Sequence, residues 1–164
     1  MMEKTKKDFW GYIGRFSLIH VLTYVVIGLI FMNIMRYREH FNSSAVYSNF
    51  RSLDSPIVRA AALIQILRGA FLALVLFPFY KVIIDSKRGW LKLFGVLWGL
   101  TLIGAVAATP GSIEGLIYTK TPLIEHLLGL PEVTVQMLVF SWLFFTWERR
   151  VKANRSKEDI HKSL

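Results

Sequence analysis

Arg68 stands inside the apolar run Leu63-Ile64-Gln65-Ile66-Leu67-Arg68-Gly69-Ala70-Phe71-Leu72. A guanidinium is always charged and presents its N–H donors as a planar fork, so its chemistry in such surroundings is the capture of a carboxylate or a phosphate. Gln65, three residues earlier, falls on the same face of a helix and extends a polar stripe. Arg59 does not: nine steps of roughly 100° place it nearly opposite Arg68, where it reads as an interface anchor.

A charge placed there needs a counter-charge. The first candidate is Glu114, in Pro110-Gly111-Ser112-Ile113-Glu114-Gly115, where glycine and proline bound an apolar segment that can dip toward a neighbouring bundle. Glu132, following Leu130-Pro131, is the second; it also suits the first turn of a helix, where an acid meets the positive end of the helix dipole. Asp54, in Asp54-Ser55-Pro56, reads first as a helix cap. His20 lies in the apolar stretch from Trp10 to Met35 and faces either a hydrogen bond to a neighbouring helix or a proton-transfer role. Metal or haem ligation lacks a second histidine at comparable depth, because His40, His126 and His161 fall outside the apolar runs, and no cofactor is expected.

Several chemistries are excluded. With zero cysteines the chain has no disulfide, thiolate nucleophile or Cys-based metal site. There is no H-E-x-x-H, P-loop or G-x-S-x-G motif, and no carboxylate pair within an apolar run. In size and span number the chain resembles the lipoprotein signal peptidases, but the catalytic aspartates of that family have no counterpart in these spans. The resemblance implies shape and no activity, and the sequence assigns no reaction.

The elements that position these residues follow from hydropathy. Hydrophobic residues make up 54% of the 164, more than a soluble domain of this length needs, and the mean hydropathy is positive. Crossing about 30 Å of hydrocarbon takes about 20 mainly apolar residues, and four segments qualify: Phe9–Met35, Pro56–Tyr80, Gly89–Ala108 and Pro131–Trp147. On this scale Arg68 lies about 12 Å inward from Ala60, too deep for easy snorkelling, and His20 reaches a similar depth from the other side. The expected fold is an all-α integral membrane protein of four transmembrane helices. Residues 1–150 would form one domain, with 151–164 a basic cytoplasmic tail that starts as a helical extension and then loosens.

Ends and connections are also legible. Proline opens the second and fourth spans at Pro56 and Pro131, a short polar turn at Asp85–Gly89 makes the second and third antiparallel neighbours, and Thr109-Pro110-Gly111 stops the third. Between Pro110 and Leu130 the chain stays apolar, with Ser112 and Thr121-Pro122 each able to start a short helix. Two interfacial or re-entrant helices are expected there, walling a pocket. Gly95 and Gly99 form a G-x-x-x-G face that favours close helix packing within the monomer, and Gln136, Ser141 and Thr146 suit interhelical hydrogen bonds.

The net charge of +9 arises from short basic segments flanking the apolar runs, a pattern of membrane orientation and not of nucleic-acid binding. Lys4, Lys6, Lys7, Lys81, Lys87, Arg88, Lys92 and the cluster from Arg149 to Lys162 outweigh Arg36, Arg38, Arg51, Arg59 and Lys120, giving N-in, C-in. The basic face suits anionic lipid on the cytoplasmic side of a plasma or inner membrane. The leading expectation is an outward-facing polar pocket of Arg68, Gln65, Glu114 and His20, with Glu132, Asp54 and Arg59 as secondary positions, that binds an anionic headgroup or a small anion. The alternative is a non-catalytic subunit or assembly factor, whose small-residue face docks into a homo-oligomer or a larger membrane complex.

Overall fold

A computed structural model describes residues 2–39, 51, 54–103 and 109–162; the side chains of residues 2–7, 114, 118 and 158–162 are not described. Every regular element among these residues is helical. They are α1 (Met2–Ile34), α2 (Pro56–Arg59), α3 (Ala61–Leu76), a 3-10 turn at Phe77–Phe79, α4 (Tyr80–Ile84), α5 (Gly89–Ile103), α6 (Ile113–Tyr118), α7 (Leu123–Leu128) and α8 (Leu130–Lys162). Three stretches are helical, long and apolar enough to cross a membrane: Asp8–Ile34, Ala61–Ile84 and Leu123–Lys157. The apolar helix α5 is shorter. Its 15 residues rise about 22 Å, and the rest of the expected third span, 104–108, lies outside the described residues.

The second span departs from the expected single helix over Pro56–Tyr80. Ser55 is the residue before the first turn and Pro56 opens it, but Ser55 makes no side-chain cap and the turn ends at Ala60 before α3 begins. At the other end Pro78 lacks the N–H that an α-helix needs, and the backbone tightens into the 3-10 turn before resuming as α4. Asp54, read from sequence as a cap, is instead an ion-pair partner: its carboxylate meets Arg38 at 2.8 Å and Arg59 at 3.5 Å on the surface.

Helix α3 packs on α1 through Gln65, Gly69, Ala73 and Leu76, the buried positions of a period near 3.6. The approach is close. A Cβ on Gly69 would stand 2.9 Å from Ser17 Cα, so glycine at 69 is what lets the backbones meet. This small-x-x-x-small pair, Gly69 and Ala73, carries the internal packing that the sequence suggests for Gly95 and Gly99. At both of those glycines a Cβ would meet nothing within 4 Å.

Between α1 and α8 lies an aromatic core. Phe16 is fully buried, with Phe140 and Phe144 edge-on at ring separations of 4.8 and 4.9 Å, and Tyr12 joins through Phe144 and Tyr80 at 5.8 and 5.4 Å. Lipid tails are as apolar as these rings, so dispersion and edge-to-face geometry hold this core together more than exclusion of water does. Tyr12 also donates to the Ala73 carbonyl at 3.2 Å, and Trp98 Nε1 on α5 donates to Thr134 Oγ1 on α8 at 2.9 Å. Ser141, expected to bond across helices, is buried with no hydrogen-bond partner among the described residues.

Two polar ties join the end of α8 to the first turns of α1, and a third joins it to the turn before α5. Arg15 clasps Glu148 with both Nε and an Nη, at 2.7 and 2.8 Å, and Tyr80 donates to the same carboxylate at 3.0 Å. Glu148 is only 2% exposed. Arg155 pairs with Asp8 at 2.8 Å and Lys152 with Asp85 in the turn before α5. The first turns of α1 and the last turns of α8 therefore lie at the same end of the bundle. Helix α8 continues through Lys162 without interruption, although the charged sequence after Arg150 suggests a looser tail.

Candidate functional site

Toward the opposite end, the helices part around a cavity of about 390 Å³. Each wall comes from a different element. α1 contributes His20 and Tyr24 and the helical residues beyond the turn that follows it Tyr37; α3 contributes Arg68, α5 Thr101, the following connection Thr109 and Pro110, α7 Glu125 and Leu128, and α8 Glu132, Val133, Gln136 and Met137.

Arg68 flanks the face that α3 packs on α1, one residue before Gly69, and so reaches the cavity wall instead of the helix interface. Its side chain is exposed within the isolated chain. None of the described residues forms an ion pair or a hydrogen bond with its guanidinium, whose charge acts on the nearby His20 imidazole. Gln65 is buried, and its Oε1 lies 3.1 Å from His20 Nε2. That oxygen can only accept, so Nε2 donates and Nδ1 carries the free lone pair. The arrangement gives His20 a fixed orientation, further set by the Phe140 ring perpendicular to it at 5.8 Å.

Sequence reasoning places His20 and Arg68 at similar depth, and the structure brings both to one cavity. Gln65 does not line it but holds His20. Glu114 belongs to α6, and its side chain lies outside the described residues. Asp54 and Arg59 do not line it: they pair with each other, and Arg59 lines an adjoining cavity of about 290 Å³ that shares Tyr24, Tyr37 and Glu132 with the first. Glu132, a secondary choice from sequence, is in the wall beside Gly28 of α1, with one carboxylate oxygen 3.6 Å from where a Cβ on that glycine would stand; the Tyr37 hydroxyl approaches it.

Glu125 is the acid the sequence reading missed. Leu123-Ile124-Glu125-His126 looks like an interfacial turn, but Glu125 and His126 are its two buried residues, i to i+1, and both face inward. Leu123, Ile124 and Leu127 are exposed and take the outer face.

The segment 109–129 caps the cavity through a local network. Ser112 caps α6 by accepting from Gly115 N–H at 2.9 Å, as the sequence suggests, and also donates to the Thr109 carbonyl at 2.8 Å. Gly111 takes φ +91°, which excludes a side chain, and its N–H donates to His126 Nδ1 at 3.1 Å. His126 thus ties the α7 helix to the turn before α6. His126→Ala is expected to loosen this cap without unfolding the bundle. Hydrogen exchange in peptides covering 111–128 should accelerate while that of α1 and α3 stays as it was; unchanged protection of 111–128 would show that the tie contributes nothing.

Chemically, the cavity offers one guanidinium, two carboxylates, an oriented imidazole, tyrosine hydroxyls and a carboxamide. Among the described residues no group of three or more His, Asp or Glu side chains is placed to hold a metal ion. Among the described residues no serine or threonine hydrogen-bonds a histidine in the manner of an activated nucleophile. The fold and cavity define a helical membrane protein with a mainly apolar chamber among its helices that carries a few charged and polar side chains. No family model matches the chain, and comparison with curated proteins and with solved structures gives no match.

Proposed function

We propose that this chain crosses the membrane four times, both termini cytoplasmic, and that its outward-facing cavity binds an anionic group, a lipid headgroup or a small anion, at Arg68. One observation carries the reading: an arginine about 12 Å along an apolar helix lines a chamber and forms no ion pair with any described residue. A central arginine costs about 2.5–3.5 kcal/mol to insert on translocon scales, and a ligand that neutralises it offsets that cost. Orientation rests on the basic turn Lys87-Arg88 and on Arg149 and Arg150, which lie at the end of the bundle where the termini meet; anionic lipid of a plasma or inner membrane would gather there.

The test is copurification. Wild-type protein extracted in mild detergent should carry a lipid or small molecule bearing a phosphate or carboxylate, visible by native mass spectrometry, and Arg68→Ala should lose it, a drop of about tenfold or more, while still inserting and running as a monodisperse species. Arg68→Lys keeps the charge and should retain part of the binding. Equal loss of folding in both variants would assign Arg68 a structural role and end the proposal.

A second reading, a non-catalytic subunit or assembly factor, is favoured by the open face of α5. Among the described residues a Cβ on Gly95 or Gly99 would meet nothing within 4 Å, so a second copy or another membrane protein has room to pack there. Stoichiometric partner proteins after gentle extraction would support it, and a lone monomer would count against it.

A further inference from the structure

The charges around the cavity narrow the ligand. Arg68 brings one positive charge to the wall, and Glu132 and Glu125 bring two carboxylates. Glu132 is approached by the Tyr37 hydroxyl, but no cation lies at ion-pair distance from it among the described residues. A ligand with only negative charge would be attracted by Arg68 and repelled by Glu132 in a chamber partly shielded from water, where such forces are poorly screened. A ligand that also carries an ammonium satisfies both walls.

Resting on the reading that Arg68 receives an anionic group, we infer that the cavity recognises a zwitterion: a phosphate or carboxylate at Arg68 and a primary ammonium at Glu132. The volume suits a molecule of that size. The neighbouring cavity of about 290 Å³ shares Tyr24, Tyr37 and Glu132 with the first, and Val25, Leu29 and Met32 line its apolar side. An aminophospholipid headgroup and a free zwitterion share the recognising chemistry, and only experiment separates them.

Full-length protein in detergent, offered equal amounts of phosphatidylethanolamine and phosphatidylglycerol, provides the test by native mass spectrometry. Wild type should retain the aminophospholipid over the purely anionic lipid by about tenfold. Glu132→Gln should bring the two to near parity by releasing the anionic lipid from repulsion, while Glu132→Asp keeps the charge and most of the preference. A purely structural Glu132, an acid at a helix start, would lower stability in the Gln variant and leave the lipid ratio untouched. Displacement of the bound lipid by glycerophosphoethanolamine would assign a soluble zwitterion, and resistance to it a membrane-borne one; either supports the inference. A wild-type preference for phosphatidylglycerol, or a ratio unmoved by Glu132→Gln, overturns it and leaves the anion reading standing if Arg68→Ala still abolishes binding. Binding of both lipids unaffected by Arg68→Ala overturns the underlying reading as well.

Discussion

Glu148→Ala should strongly destabilise this protein. The carboxylate is almost wholly buried and accepts two hydrogen bonds from Arg15 and one from Tyr80. Its removal strands a guanidinium that is itself only 14% exposed. Losing one partner of a buried pair costs about 3–5 kcal/mol, most of it the penalty of the charge left behind. The double variant Arg15→Met/Glu148→Leu removes both charges and should therefore recover most of the loss. Apparent melting temperatures in detergent across the four proteins of this cycle decide the matter. A Glu148→Ala protein that melts with the wild type would mean that Arg15 finds water or lipid phosphate at no cost.

Gly89→Ala should be nearly as damaging for a different reason. A Cβ at this position would sit 1.7 Å from the Ile83 carbonyl oxygen and 2.6 Å from the Phe145 ring, and backbone cannot swing aside as a side chain does. The turn from Asp85 to Arg88 would have to open and lift α5 from α8. Overpacking typically costs about 1–3 kcal/mol, and a backbone clash belongs at or above the top of that range. Gly95→Ala is the matched control. Its Cβ would meet nothing, so helix propensity alone should leave it neutral or up to about 1 kcal/mol more stable. Thermal melts of the two variants should separate widely; similar curves would show that the turn adapts.

The helical character of the chain and most helix ends were legible because proline, glycine and serine act locally. Pro131 opens α8, Ser112 caps α6, and Pro122 precedes α7. The break at Ala60 and the 3-10 turn at Pro78 were less legible, since an apolar run reads as continuous while the missing N–H of one proline interrupts it. Arg68 and His20 were found in the same cavity because depth along a helix follows from residue count. Their neighbours were not found so easily. Glu125 belongs to the wall through the fold of α7 against α8, a tertiary fact with no period in the sequence. Glu148 escaped notice for a related reason: it directly follows Trp147, where the apolar run ends, and only the antiparallel passage of α1 and α8 brings Arg15 opposite. The glycine stripe of α5 was an apparent packing signal, but the close approach occurs at Gly69, because shape complementarity depends on which faces meet.

Helix α8 has one proline, at its second residue, and no glycine, so from Glu132 in the chamber wall to Glu148 in the buried pair it is a single shaft about 24 Å long. A shaft of this kind resists torsion. Any swivel of α8 that widened or narrowed the chamber would turn the Glu148 carboxylate away from Arg15 by the same angle, so the far clasp limits how much the chamber walls can breathe.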